Sequence, residues 1–278
     1  MTPRTITVSL LGLYAGLTVY SAAAQPLVLA AAVTGFAFAL LHAAQREGWR
    51  RALLLLALVF VVSLLFESVG VATGLVYGPY HYTDVLGPKF LGLVPYLIPV
   101  AWFMMSYPSL VIAEWLTFPG GRRSGRSSWR QLVAVAAVGG LVMTAWDIVM
   151  DPLMVAGGHW VWDTEGAYFG IPLQNFVGWW LTVFTTFALY LLVRGKQSSA
   201  PDAGFDRLAV ASYLVTAAGA IITSLANDAG DLALIGFFVM LPWGILAWMR
   251  TGARTVAATD FADVSEFTPD RTKRTEAG

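Results

Sequence analysis

The sequence predicts an all-α fold, a polytopic integral membrane bundle of about eight transmembrane helices with both termini cytoplasmic. Three observations predict it. Of 278 residues, 57% are hydrophobic and only 12% charged, against about 25% charged in a soluble domain. Apolar runs near the ~20 residues that cross a bilayer recur along nearly the whole chain. When the connections are assigned alternately from a cytoplasmic N-terminus, the basic residues fall on one side. The alternating ten-residue segments of a membrane barrel do not occur.

The elements follow in order. The first span, 6–23, lies after Arg4 and reads as a retained helix, not a signal peptide, because no small-residue cleavage site leads into a soluble domain. The second, 26–43, ends ahead of Arg46, Arg50 and Arg51. The third, 52–70, is apolar until Glu67, and Glu67, Gly70, Val71 and Gly74 share one helical stripe. The G-x-x-x-G pair in that stripe predicts close approach of another helix. Spans 93–115 and 132–150 flank a Gly-, Ser- and Arg-rich connection with Arg122, Arg123, Arg126 and Arg130. Span 171–192 leads to Arg194, Lys196 and Arg207, and spans 208–225 and 232–249 precede Arg250, Arg254, Arg271, Lys273 and Arg274. Sixteen of the seventeen basic residues are then cytoplasmic, with Lys89 alone outside. The cytoplasmic connections read as solvated turns. Residues 1–254 form one transmembrane catalytic domain, and 255–278, polar and aperiodic, a disordered cytoplasmic tail.

Carboxylates in the spans carry the functional signal. An ionisable group at the bilayer centre costs about 3 kcal/mol on insertion scales, so it faces a polar interior and usually has a function. Glu67 sits near the end of its span, and Asp147 and Asp151, at i and i+4, share a helix face. Two carboxylates one turn apart in low dielectric do not both ionise cheaply. Such a pair suits general acid–base work, one group donating while its partner stays anionic; it also suits a divalent metal. Asn175, on one face of the sixth span with Gly178 and Trp179, needs a partner once buried, and the nearby acids supply one.

The two long external connections are aromatic. One holds Tyr77, Tyr80, His81 and Tyr82; the other holds Trp160, Trp162, Tyr168 and Phe169. An interfacial aromatic belt accounts for single rings, but the opposite face has no comparable cluster. Asn227, Asp228 and Asp231 resemble the magnesium–diphosphate motif of membrane prenyltransferases. A diphosphate needs cationic partners, this face has one lysine, and the order and membrane side of the acidic motifs are wrong for such enzymes, so the cluster reads as a turn. His42, His81 and His159 lack metal-ligand spacing, there is no cysteine, and no nucleotide-binding fingerprint occurs. Neither a metal nor a cofactor is expected.

Glu67-Ser68-Val69-Gly70 with Thr73-Gly74, and Tyr77-Gly78-Pro79-Tyr80-His81-Tyr82, are similar to the membrane carotenoid hydratases of the bisanhydrobacterioruberin hydratase type. So are Val94-Pro95 with Pro99 and Trp102, Trp146-Asp147 through Asp151-Pro152, Trp160-Val161-Trp162, and Tyr168-Phe169-Gly170-Ile171-Pro172 through Asn175 and Gly178-Trp179. The resemblance covers roughly residues 64–192; the first two and last two spans add only hydrophobic bulk. It implies a hydro-lyase that adds water to the terminal C-1,2 double bond of an acyclic carotenoid end group, lycopene-like or C50, without a redox cofactor. The partners implied are the carotenoid, water, membrane lipid and other enzymes of the same pathway, with no nucleic acid. Catalysis falls to Glu67, Asp147 and Asp151, and substrate contact to the aromatic residues above with Trp102, Trp146, Asn175 and Trp179. The residues fit that chemistry: an acid protonates the alkene, and aromatic faces stabilise the tertiary cation by roughly 2 kcal/mol or more each when desolvated. The location expected is the cell membrane, with the site toward the extracytoplasmic ends of spans three to six. The competing readings are a magnesium-dependent prenyltransferase acting on an isoprenoid lipid and a transporter whose intramembrane acids relay protons.

Overall fold

The computed structural model describes residues 2–21, 27–118, 128–195 and 202–265. Eight long helices stand at the eight expected spans: α1 (Pro3–Ser21), α2 (Val28–Glu47), α3 (Trp49–Thr73), α4 (Leu97–Thr117), α5 (Trp129–Ala156), α6 (Leu173–Val193), α7 (Ala203–Ala226) and α8 (Gly230–Ser265). Seven, α2 to α8, are long and apolar enough to cross a membrane. The hydroxyl-bearing residues of α1 make it the most polar of the set, and two of them, Thr7 and Tyr14, are buried against the bundle. Leu65 on α3, Val177 on α6 and Phe238 on α8 are among the large apolar side chains left exposed, as a hydrocarbon surround requires.

Local chemistry sets the helix ends. Ser128 and Gln131 form a capping box at the start of α5, and Asp202 Oδ1 accepts from the Phe205 amide, 3.0 Å away, at the start of α7. Gly74, at φ +70°, ends α3 in the left-handed region that glycine tolerates. The fourth helix starts at Leu97, not at residue 93, because Val94–Pro95 pairs as strand β3 with β2 (Lys89–Phe90). The fifth runs on to Ala156, so Asp151 and Pro152 lie inside it. Helix α8 continues to Ser265, past the boundary expected at residue 254; residues 266–278 of the expected tail lie outside the described residues.

Helix α4 is the hub. It packs against α2, α3, α5, α7 and α8 and is buried over most of its length. At one end of the bundle the two aromatic connections meet as a lid. Strand β1 (Tyr80–Tyr82) runs antiparallel to β4 (Trp160–Trp162), pairing Tyr80 with Trp162 and Tyr82 with Trp160. Side chains alternate along a strand, so the tyrosines point inward while His81 and Val161 point out. Lys89 holds the lid down, its Nζ 2.8 Å from both Tyr82 O and Asp84 Oδ1. That contact keeps the exposed Asp84 carboxyl below its ordinary pKa range.

At the other end lies a buried ionic network absent from the sequence reading, which made solvated turns of these connections. Arg46 pairs with Asp206 at 2.7 Å, Glu47 at 2.8 Å and Glu114 at 2.9 Å, and Arg194 pairs with Glu114 at 2.6 Å. Trp115 Nε1 donates to Asp206 Oδ2 at 2.9 Å. The network ties α2, α4 and α7 to the C-terminal end of α6, and the several partners per charge offset the desolvation that a buried ion pair incurs.

Candidate active site

The three expected carboxylates are all buried at the lid end, and each is held differently. Glu67, near the end of α3, accepts from three donors: Tyr80 Oη and Tyr82 Oη (2.9 Å) on Oε2, and Trp102 Nε1 (3.1 Å) on Oε1. Burial first, and then the neighbouring Glu67, push both phenols well above the usual tyrosine range, so they stay neutral donors. Asp151 accepts from Trp160 Nε1 at 2.7 Å and from Asn175 Nδ2 at 2.8 Å. Asp147 accepts from the same Nδ2 at 2.8 Å, and its Oδ1 is buried with no partner among the described residues. Asn175 thus gives one amide hydrogen to each aspartate.

The lid connects the two acid centres. Tyr82, which donates to Glu67, and Trp160, which donates to Asp151, are cross-strand neighbours with ring centroids 5.7 Å apart. The aromatic connections are therefore donors to the acids as well as covers over them. An interfacial belt would leave these rings at the lipid surface, yet Tyr77, Tyr80, Tyr82 and Trp160 are buried.

Gly70 does not serve a bare helix–helix contact, as the G-x-x-x-G spacing predicted. It forms one side of a slot for the Tyr77 ring, and Gly178 on α6 forms the other; a Cβ on either would lie 2.6 Å from a ring carbon. Gly74 is the α3 cap. Held in this slot, Tyr77 Oη bonds Thr182 Oγ1 at 2.9 Å.

Beside the acids stands a wall of three tryptophans. Trp102 and Trp179 stack at 4.1 Å and 16°, and Trp146 meets Trp179 edge-on at 5.8 Å. Together with Glu67, Asp151 and Asn175 they line a cavity of about 610 Å³. Tyr77, Tyr80, Tyr82, Trp160, Trp162 and Phe169 line it too.

Two expected substrate contacts lie elsewhere. His81 is on the outer face of β1, 56% exposed in its side chain and paired with Asp163 at 2.8 Å. Tyr168 donates to Ile148 O at 2.9 Å and packs edge-on against Phe169 and Phe176, so it backs the cavity-lining Phe169 without lining the cavity itself. Asp228 is exposed in the turn between α7 and α8, and Asp231 is exposed in the first turn of α8. Among the described residues no group of three or more histidines and acids has the arrangement of a metal site.

The cavity also reaches residues outside the expected region. His159 lines it behind the lid, and Tyr14, Ala31, Thr216 and Leu232 line it from α1, α2, α7 and α8. The outer helices therefore contribute more than bulk. Only the hydroxyls on α1 and α7 gave a hint of this in the sequence.

The family model of carotenoid biosynthesis proteins matches residues 22–243. A curated relative, the bisanhydrobacterioruberin hydratase of Haloarcula japonica, is 34% identical over 158 residues, which cover 57% of this chain and 47% of that protein. The chain thus matches about half the length of that relative. No solved structure matches it.

Proposed function

The chain belongs to the family of carotenoid biosynthesis proteins, and from that premise we propose that it is a carotenoid hydratase acting on the terminal C-1,2 double bond of an acyclic end group. The observation that carries the reading is the pair Asp147 and Asp151, bridged by one Asn175 amide, with Asp147 fully buried behind Asp151 and Asp151 lining a mostly apolar cavity together with the stacked tryptophans. That arrangement supplies a proton, a cation-stabilising surface and a base in one water-poor space.

In the proposed reaction the aspartate pair holds one proton between them and gives it to one alkene carbon, leaving a tertiary cation at the other. The faces of Trp102, Trp146 and Trp179 stabilise that cation. Glu67 adds negative charge at the edge of the stack while fixing Trp102 and the two lid tyrosines. Water adds to the cation, and the proton it releases returns to the aspartate pair, so the catalyst is regenerated and no redox step occurs. The site faces the extracytoplasmic side of the cell membrane, and the polyene enters from lipid. The relative's name supports hydration of a carotenoid; the bond attacked and the residue roles are our reading.

Pigment analysis in a lycopene-producing host tests it. The wild-type chain should yield a hydroxylated carotenoid. Asp147→Asn and Asp151→Asn should lower the yield by about 10²–10⁴-fold, the usual worth of general acid–base catalysis, at unchanged expression. Asp228→Asn and Asp231→Asn should be mild. If the latter pair proves essential and the former dispensable, the chemistry lies at the α7–α8 junction and the reading fails.

A further inference from the structure

The cavity has a second wall, on α1 and α7, that the acid chemistry does not use. Tyr14, Thr18 and Ser21 recur at i, i+4 and i+7 on α1, and Thr216, Thr223 and Asn227 recur at i, i+7 and i+11 on α7. Each set forms one stripe of its helix, and all six side chains line the cavity. The stripes meet where Tyr14 Oη and Thr216 Oγ1 lie 2.6 Å apart, both buried. Next to that junction the Thr18 methyl packs over Gly219 of α7, and Thr18 Oγ1 is buried with no hydrogen-bond partner among the described residues. The outer end of the α7 stripe, Asn227, is exposed.

Tyr14, Ser21, Thr216 and Asn227 each have a partner within the protein, but a hydrocarbon would leave Thr18 Oγ1 unsatisfied, at a cost of about 1–3 kcal/mol, whereas a water held against this polar wall bonds two to four such groups. On the acid side the lid residues Tyr80, Tyr82 and Trp160 are themselves buried and hydrogen-bonded to the carboxylates, so their polar atoms are already committed. We propose that the facing hydroxyl stripes of α1 and α7 are the water-binding wall of the cavity, leading the co-substrate from the exposed Asn227 end past Thr223 and Thr18 to the Tyr14–Thr216 junction. The proposal rests on the hydratase reading and adds to it the wall from which water reaches the cation.

The step balances without any further reagent. A C–H bond forms as the carboxyl O–H breaks; the water oxygen then forms the C–O bond, and its released proton goes to the carboxylate. Where water fails to arrive, the cation instead gives a proton from an adjacent carbon to the carboxylate, and an alkene re-forms. The water wall thus decides between two fates of one cation.

The full chain in liposomes, supplied with an acyclic carotene in D2O, separates these fates by mass spectrometry. Wild type should give mainly hydrated product. The double variant Thr18→Val, Thr216→Val should lower hydration about tenfold or more, the scale of two lost hydrogen bonds. Deuterium in the recovered, unhydrated carotene should rise. Thr18→Ser with Thr216→Ser should restore the wild-type ratio. If hydration and exchange fall together, or if neither changes, the stripes do not supply water and the proposal is overturned. A change in which carotene is accepted, at an unchanged ratio, would also overturn it and make the stripes a substrate contact. A wild-type chain that neither hydrates nor exchanges would remove the hydratase reading, and this proposal with it.

Discussion

Asn175 is the residue on which the site turns, since one amide nitrogen holds two acids that would otherwise face each other unbridged. Its Nδ2 lies 2.8 Å from both Asp147 and Asp151. Asn175→Leu should leave two buried acceptors short of a donor, each costing about 1–3 kcal/mol. The expected result is a loss of hydroxylated carotenoid of at least tenfold together with a lower melting temperature in detergent. Full activity with an unchanged melting point would show that the amide neither orders nor serves the pair. Much of this was legible beforehand, because i, i+4 spacing on a helix puts carboxylates on one face whatever the tertiary fold. What spacing does not reveal is which donor answers which acceptor. The Glu67 partners come from two separate segments, β1 and α4, and no local pattern joins them.

The lid shows where element-level reading stops. Eight helices follow from hydropathy alone, yet β1 and β4 are three residues each, too short for a periodic signal. Their pairing spans the whole of α4 and α5 in sequence. Without the strand, His81 looks equivalent to its tyrosine neighbours; with it, the two-residue alternation turns His81 outward and Tyr80 and Tyr82 inward. The same blindness hid the ionic network, since Glu114 and Asp206 look like helix-end charges until α4 and α7 are packed together. The lid geometry gives a paired expectation. Tyr82→Phe removes one of the three donors to Glu67 while keeping the ring against Trp160, and should reduce hydration several-fold, in line with a typical hydrogen bond at about 0.5–1.5 kcal/mol. His81→Ala, on the outer face, should change hydration by less than about twofold, as for a surface substitution within roughly 0.5 kcal/mol. The reverse ranking in carotenoid assays would mean that the strand register does not govern the site.

For the whole molecule the open matter is which end faces the cytoplasm, and the buried network bears on it. Arg46 and Arg194 are locked in ion pairs, so they are weak witnesses for a rule about loop charges. Setting both aside leaves fourteen basic residues on one side against Lys89 on the other, and Lys89 is itself held by Tyr82 and Asp84. The asymmetry survives the correction, and by the positive-inside rule it predicts a lid on the outside. The chain has no cysteine, so single introduced thiols report orientation without background. Glu165 and Arg130 are exposed at opposite ends of the bundle. In intact cells a membrane-impermeant maleimide should label Glu165→Cys at once and Arg130→Cys only after permeabilisation. Immediate labelling of Arg130→Cys with protection of Glu165→Cys would invert the molecule. The water wall and the acids would then open toward the cytoplasm, against the charge distribution from which the orientation was argued.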